Sequence, residues 1–146
     1  MNAHLITVGD ELLIGQVVDT NAAWLADRLG RAGVTVDEIR TVGDRTGAIG
    51  RALSESWSSA DLVIVTGGIG PTDDDRTREA LARFFGAELQ LDPDARETIA
   101  GYYRSRERAV PESADKLAQV PAGFEALPNG SGTAPGTGAS GSSTPS

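Results

Sequence analysis

The sequence of 146 residues contains no cysteine and no long apolar run. The lack of cysteine excludes disulfide bonds and thiolate metal sites. No apolar run approaches the roughly 18 residues that a membrane-spanning helix needs. Residues 1–4 also lack the basic start and apolar core of a signal peptide. We therefore expect a cytoplasmic protein that does not associate with a membrane.

Positive charge is scarce as well, because 13 Lys+Arg stand against 21 Asp+Glu, which gives a formal net charge of -8. This balance, with a sequence pI near 4.5, means repulsion from a phosphate backbone, so duplex nucleic acid is not an expected partner. Small phosphorylated ligands remain compatible with the sequence, since backbone donors or a bound cation can overcome a net charge.

Charged and large apolar side chains are both absent from residues 129–146, which contain only Asn, Gly, Ser, Thr, Ala and Pro. Such a segment contributes nothing to a hydrophobic core. We predict a folded domain over residues 1–128 and a Gly/Ser/Thr-rich flexible tail over residues 129–146. A domain of that size buries on the order of two-thirds of its unfolded surface, which is sufficient for one core.

Strand and helix patterns alternate along the predicted domain. Apolar and β-branched runs predict strands at residues 4–8, 34–42 and 61–66, and an edge strand at residues 124–127. The segments between them predict helices capped at Thr20 or Asn21, at Asp44 and at Asp92, a helix that begins within residues 73–77, and a short helix between Pro111 and Pro121. This alternation predicts an α/β fold with a layered sheet.

Each of the three strong strands ends in a glycine-containing loop, namely Gly9-Asp10, Gly43-Asp44 and Gly67-Gly68. In parallel α/β sheets, ligands bind beyond the carboxyl ends of the strands. We therefore expect three ligand-binding loops on one edge of the sheet.

The segment at residues 66–77, Thr-Gly-Gly-Ile-Gly-Pro-Thr-Asp-Asp-Asp-Arg-Thr, is the most informative in the chain. Glycines let backbone N–H groups approach an anion, and the following helix N-terminus adds partial positive charge, so the segment predicts a phosphate cradle. It matches neither the Walker A pattern nor the dinucleotide fingerprint. A glycine turn followed by an acidic helix cap explains the same residues, and the sequence does not separate the two interpretations.

Three adjacent carboxylates, Asp73, Asp74 and Asp75, exceed what one helix cap needs. They would repel one another and a phosphate unless a divalent ion lay between them. Oxygen ligands without cysteine favour magnesium or manganese. Alternatively, one of these carboxylates acts as a general base toward water.

Two motifs of the sequence, taken together, resemble those of a known family. One is the glycine segment at residues 66–77, and the other is Thr-Val-Gly-Asp-Glu-Leu-Leu-Ile-Gly-Gln-Val-Val-Asp-Thr-Asn at residues 7–21. They are similar to the molybdopterin-binding fold of the MoaB and MogA proteins, and more closely to the N-terminal domain of the competence/damage-inducible CinA proteins. The similarity continues through Val42-Gly43-Asp44, Val120-Pro121-Ala122-Gly123, Leu127-Pro128-Asn129 and Gly132-Thr133-Ala134-Pro135-Gly136. It implies a three-layer α/β/α sandwich with a mostly parallel sheet.

The resemblance implies one of two chemistries. CinA-type domains are associated with hydrolysis of the pyrophosphate of ADP-ribose to AMP and ribose 5-phosphate, helped by a divalent metal and potassium. Their relatives in molybdenum cofactor synthesis bind and adenylylate molybdopterin. The ligand is therefore expected to be an ADP-ribose-like nucleotide or molybdopterin. The first is favoured because three stretches look more like CinA than like stand-alone molybdopterin enzymes: Gly-Asp-Glu-Leu-Leu, Asp-Thr-Asn and Gly-Thr-Ala-Pro-Gly.

The resemblance also assigns roles by motif position. Asp75 is the first catalytic candidate and Asp44 the second, and a divalent ion is expected near Asp44, Asp74 and Asp75. The phosphate- and nucleotide-binding candidates belong to the two long motifs: Gly9, Asp10, Glu11, Asp19, Asn21, Thr66, Gly67, Gly68, Gly70, Pro71 and Thr72.

The sequence departs from the family pattern after Gly136. In CinA-type domains the Gly-Thr-Ala-Pro-Gly stretch leads into further strands and a Leu-Pro-Gly-x-Pro segment, whereas here residues 137–146 follow directly. We therefore expect a C-terminally truncated member with an open sheet edge. An open edge favours a homo-oligomer. A nucleotide-binding module without turnover is a third interpretation, since fold and motif do not guarantee activity.

Overall fold

The computed structural model of the chain describes residues 1–140. It divides into two compact units, of which the first is Met1–Gly68 and the second begins at Ile69. The boundary therefore falls inside the region that we predicted as one domain, within the glycine segment. The first unit contains the three loops that begin at Gly9, Gly43 and Gly67, and the second contains the acidic run at residues 73–75.

The first unit is a parallel three-stranded sheet with helices. The strand order is β2-β1-β3, and both pairs of neighbours are parallel. Its elements are β1 (Asn2–Val8), α1 (Asp10–Leu13), α2 (Thr20–Arg31), β2 (Thr35–Val42), α3 (Thr46–Trp57) and β3 (Leu62–Thr66). The three strands and the longer helices confirm the α/β prediction.

The core of the first unit forms around the central strand β1. Leu5 and Ile6, neighbours on this strand, are both buried, as expected of a strand covered on both faces. Helix α3 adds Ile49 and Leu53, which are also buried. Their spacing of four residues places them on one side of the helix. The apolar pattern of the sequence therefore fixes this core.

Two predicted helix caps are wrong. The cap of α2 is Asp19, whose Oδ1 accepts a hydrogen bond from the Ala22 amide at 3.0 Å, and not Thr20 or Asn21. A carboxylate one position before the helix reaches the amide three residues on, and the sequence offered several residues of this type in a row. Helix α3 has Arg45 at its cap position, so Asp44 lies one residue too early to cap it.

The second unit contains short antiparallel strands and helices. Strand β4 pairs with β5, and β6 pairs with β7. Its elements are α4 (Thr77–Phe85), β4 (Leu89–Leu91), α5 (Pro93–Arg104), α6 (Ala114–Leu117), β5 (Gln119–Pro121), β6 (Glu125–Leu127) and β7 (Gly136–Gly138). The predicted cap of α5 is confirmed, since Asp92 Oδ1 accepts from the Ala95 amide at 2.8 Å. Ile99 and Leu117 are fully buried in the core of this unit.

Strand β7 lies inside the segment that we predicted to be a flexible tail. Gly136 pairs with Leu127 and Gly138 with Glu125 in an antiparallel ladder. Backbone hydrogen bonds need no large side chains, which is why composition alone did not reveal this strand. The prediction is therefore corrected for Gly136–Gly138, and residues 141–146 of the same segment lie outside the described residues.

Among the helices of residues 1–140, none has the length and apolar character that crossing a bilayer requires.

Candidate functional site

The three glycine-containing loops of the first unit lie at one edge of its sheet. Val8 is in register with Val42, and Thr7 is in register with Thr66, so the carboxyl ends of β1, β2 and β3 are level. Their register places the Gly9, Gly43 and Gly67 loops side by side, as predicted.

Gly67 allows the third loop to turn against the first. Its φ is 86°, in the left-handed region that favours glycine. A Cβ at this position would lie 2.1 Å from the Val8 carbonyl oxygen, which is backbone and cannot move aside. The close approach of the two backbones therefore requires glycine here.

A cleft of about 140 Å³ lies beside these loops in the first unit. Small-molecule pockets usually measure about 300–1,000 Å³, so this cleft has room for part of a nucleotide. Five of the predicted ligand residues line it: Glu11, Asp19, Asn21, Thr66 and Gly67.

Asp10 joins the first loop to the second. Its Oδ1 accepts a hydrogen bond from the Asp44 amide at 3.1 Å. A Cβ on Gly43 would lie 2.6 Å from the same oxygen. Gly9 donates its amide to the Val42 carbonyl at 3.0 Å. Asp10 and Gly9 therefore fasten the first loop to the second and do not line the cleft.

Asp19 combines a helix cap with an unused acceptor. Its Oδ1 caps α2, whereas its Oδ2 is buried and has no hydrogen-bond partner among residues 1–140. A buried acceptor without a donor costs free energy unless some group satisfies it. Since Asp19 lines the cleft, a hydroxyl or amino group of a ligand is a chemically suitable donor.

In the second unit, the acidic run forms a tight loop at residues 70–76, which we call the acidic loop. The Thr72 amide and Oγ1 donate to Asp75 Oδ2 at 2.9 and 2.7 Å, and the Asp75 amide donates to the Thr72 carbonyl at 3.1 Å. Helix α4 has Arg76 at its cap position. The interpretation of this run as a helix cap is therefore wrong, because Asp75 reaches back along the loop and closes it.

Gly70 gives the Asp75 carboxylate its space. A Cβ on Gly70 would lie 2.6 Å from Asp75 Oδ2. Arg78, which is 3% exposed, also contacts the acidic loop. Its guanidinium donates to the Gly70 carbonyl at 3.4 Å and to the Leu117 carbonyl at 3.3 Å. The other predicted loop residues, Pro71 and Asp74, are exposed, and Gly68, at the end of the first unit, has a φ of 65°.

Sequence reasoning missed Arg78 and Lys116. Lys116, on α6, donates from Nζ to the Thr72 carbonyl. It lies 44 residues from Thr72 in the sequence, so no local pattern connects the two. One available signal was composition, since Lys116 is the sole lysine of the chain.

The acidic loop keeps Asp75 ionised. Burial by itself raises the pKa of Asp75, but hydrogen bonds from the Thr72 side chain, from the Thr72 and Gly70 backbone, and the charge of Lys116 together lower it below the ordinary value. Burial lowers the pKa of Arg78, and the charge of Asp75 opposes this effect. At neutral pH the loop therefore holds a carboxylate against a buried cation.

We expect Asp75→Asn to destabilise the protein at neutral pH and to have little effect in acid. A carboxyl whose pKa is lower in the folded state than in the unfolded state adds stability above its unfolded pKa of about 3.9, and this stability disappears as pH falls through the folded value. Urea unfolding at pH 7 and at about pH 3 checks this. Equal destabilisation at both pH values would show that the charge of Asp75 contributes nothing.

The predicted metal set divides between the two units, since Asp44 belongs to the first and Asp74 and Asp75 belong to the second, and it stays a prediction. Within residues 1–140, no three His, Cys, Asp or Glu side chains come together as a group that could hold a metal ion. Asp75 Oδ2 already accepts two hydrogen bonds from Thr72. Magnesium is commonly bound by one or two carboxylates together with substrate phosphates and water, so a cluster of three protein ligands is not required. We assign no chemical step to a metal.

A larger cavity lies elsewhere in the second unit. It measures about 700 Å³ and is lined by residues of α5, β6 and the segment that follows β6. Tyr102 and Arg106 line it, with the guanidinium 3.6 Å from the centre of the tyrosine ring. None of the predicted site residues lines this cavity, so size alone does not identify the candidate site.

A family model, curated relatives and solved structures all indicate the same family for this chain. A family model described as a probable molybdopterin binding domain matches residues 4–144. A CinA-like protein from Salinibacter ruber is 55% identical over 136 residues, which are 93% of this chain and 33% of the relative. A CinA-like protein from Deinococcus radiodurans is 48% identical over 134 residues, also 33% of its length. The chain thus spans about a third of the curated relatives that it matches.

Solved structures extend this similarity to three dimensions. The crystal structure of the protein CinA from Thermoplasma acidophilum has a TM-score of 0.87 and 35% identity, covering 99% of this chain and 84% of that one. The molybdopterin biosynthesis enzyme MoaB from Thermus thermophilus has a TM-score of 0.54 and 21% identity, covering 82% of this chain and 78% of that one. The second likeness shows the fold alone.

Proposed function

This chain belongs to the molybdopterin-binding domain family and, within it, to the CinA-like proteins, and from that premise we propose that it hydrolyses the pyrophosphate of ADP-ribose. The products would be AMP and ribose 5-phosphate. The proposal concerns this domain by itself, because the chain spans 33% of the length of its Salinibacter relative.

The observation that supports the proposal most is the acidic loop. Asp75 is held there in one orientation by two hydrogen bonds from Thr72, and its pKa is lowered, so it is a fixed negative charge at neutral pH. A fixed carboxylate can accept a hydrogen bond from water and aim that water at an electrophile. A group that served only as a helix cap would lie against the first turn of α4.

The proposed reaction consumes one water molecule for each pyrophosphate that is cleaved. The oxygen of one water molecule forms a bond to one phosphorus of the pyrophosphate, and the bond from that phosphorus to the bridging oxygen breaks. The bridging oxygen stays with the other phosphate, and the protons of the water pass to solvent. Asp75 would orient the water, and backbone N–H groups of the glycine segment would stabilise charge on the phosphate oxygens.

A second candidate function is binding or adenylylation of molybdopterin. The matching family model is described as a probable molybdopterin binding domain, and the fold is shared with MoaB. This candidate places an adenylyl phosphate at the same glycine segment, so the two proposals differ in the reaction and not in the location of the site. A domain that binds nucleotide without turnover is the third outcome to test.

The test is chromatographic detection of AMP after incubation of the protein with ADP-ribose, magnesium and potassium, the ions that the family resemblance implies. A parallel sample contains EDTA in place of magnesium. We expect AMP and ribose 5-phosphate in equal amounts in the magnesium sample. If no AMP forms, although equilibrium dialysis shows that ADP-ribose binds, the protein is a binding module. If neither occurs, adenylylation of molybdopterin with ATP is the remaining assay.

A further inference from the structure

The acidic loop poses an electrostatic problem for a phosphate ligand. It carries Asp73, Asp74 and Asp75 in a chain with a formal net charge of -8. Two phosphates bound at this loop would add further negative charge, and the carboxylates would repel them. A positively charged side chain at the loop would offset this repulsion.

Lys116 is placed to supply that charge. Its Nζ donates to the Thr72 carbonyl, and its charge contributes to the low pKa of Asp75, so the ammonium lies at the loop. The ion pairs found within residues 1–140 do not include Lys116, whereas Arg31, Arg40, Arg96 and Arg104 are all paired with carboxylates. The Lys116 ammonium acts on Asp75 through its charge but is not held against a carboxylate in any of these ion pairs.

The backbone that carries Lys116 is held firmly. Ala114 and Leu117, on either side of it in α6, are 0% and 2% exposed. The Leu117 carbonyl accepts from the Arg78 guanidinium, which also donates to the Gly70 carbonyl. The buried arginine therefore connects the helix of Lys116 to the start of the acidic loop, which places the Lys116 backbone beside that loop.

An ammonium has three donors, and the Thr72 carbonyl takes one of them. Lysine also acts as a compact point charge toward phosphate. We propose that Lys116 binds the pyrophosphate of the ligand at the acidic loop through its remaining donors, an inference that rests on the proposed function. In this role Lys116 would offset the negative charge of the three carboxylates and favour ligands that contain a diphosphate.

The sole lysine permits a direct test with an amine-acylating reagent. In the intact protein, Lys116 and the Met1 amino group are the amines that such a reagent modifies, and mass spectrometry separates them. We expect inorganic pyrophosphate and ADP-ribose each to reduce acylation of Lys116 at least about threefold, with Met1 unchanged as the internal reference. Equal acylation of Lys116 with and without these ligands would overturn the inference.

Binding of ADP-ribose to variants gives a second readout. Because hydrogen bonds to charged groups are the stronger ones, Lys116→Ala should weaken binding about ten- to hundredfold. Lys116→Arg, which keeps the charge, should restore most of the affinity. The matched control is Arg83→Ala, which removes one positive charge at the exposed last turn of α4 and should bind like the parent. Equal affinity of parent and Lys116→Ala would contradict the inference.

The two proposals fail in different ways. Protection of Lys116 by ADP-ribose without release of AMP would support the phosphate contact and remove the hydrolysis. Release of AMP with Lys116 unprotected and Lys116→Ala fully active would do the reverse.

Discussion

Gly67→Ala should lower the free energy of unfolding by about 3 kcal/mol or more. Two costs combine at this position. The φ of 86° is a left-handed conformation, which costs an L-residue with a Cβ about 1–2 kcal/mol. The new Cβ would also lie 2.1 Å from the Val8 carbonyl oxygen, so β1 and the loop after β3 must separate. Urea unfolding of the purified variant measures the loss.

Two glycines of the same unit provide matched controls for Gly67→Ala. Gly33 has a φ of 82° and open space at its Cβ position, so Gly33→Ala should cost only the conformational strain of about 1 kcal/mol. Gly50 lies within α3 with open space, so Gly50→Ala should stabilise the protein by about 0.5–1 kcal/mol. If Gly67→Ala cost no more than Gly33→Ala, the close approach to Val8 would be contradicted.

Asp75→Asn should reduce release of AMP from ADP-ribose by about a hundredfold or more, the range found when an oriented acid–base group is lost. Asparagine is close to aspartate in size and keeps one oxygen that can accept from Thr72. It loses the negative charge that would orient the attacking water. The expected change lies in kcat, because the phosphate-binding groups of the loop remain.

Asp73→Asn is the matched control for Asp75→Asn. It makes the same chemical change two residues away in the same exposed run, and in residues 1–140 the Asp73 side chain makes no hydrogen bond comparable with those of Asp75. We expect its kcat to stay within about twofold of the parent. Equal losses in the two variants would mean that the total charge of the run, and not the position of Asp75, sets the rate.

The sequence alone was sufficient for the parallel sheet. Strand β3 is an almost continuous apolar run and β1 is mainly apolar, which is typical of strands in a parallel sheet with helices on both faces. The pattern does not give the strand order, in which β1 is central and β3 lies at an edge. Strand β7 was missed because its residues, Gly-Thr-Gly, have no apolar pattern and are held by backbone pairing with β6. Helix caps were misplaced by one residue where several capping residues stand in a row, as at Asp19 and Thr20.

The candidate site was only partly predictable. Its loops follow from glycines placed directly after strands, and these were identified from the sequence. The orientation of Asp75 depends on which hydrogen-bond donors surround it. Its carboxylate accepts from the Thr72 hydroxyl and amide and not from the amides in the first turn of α4. The contributions of Arg78 and Lys116 come from tertiary contacts with Leu117 and Thr72, which no local pattern contains. The predicted metal ligands Asp44, Asp74 and Asp75 stay a prediction.

The claim that this domain cleaves a pyrophosphate with water is tested most directly by phosphorus-31 NMR. ADP-ribose is incubated with the protein, magnesium and potassium in water enriched in oxygen-18. We expect the two pyrophosphate signals to be replaced by two phosphate monoester signals, one of them shifted by a bound oxygen-18. Pyrophosphate signals that persist unchanged, in a sample whose protein is shown to be folded, would contradict it.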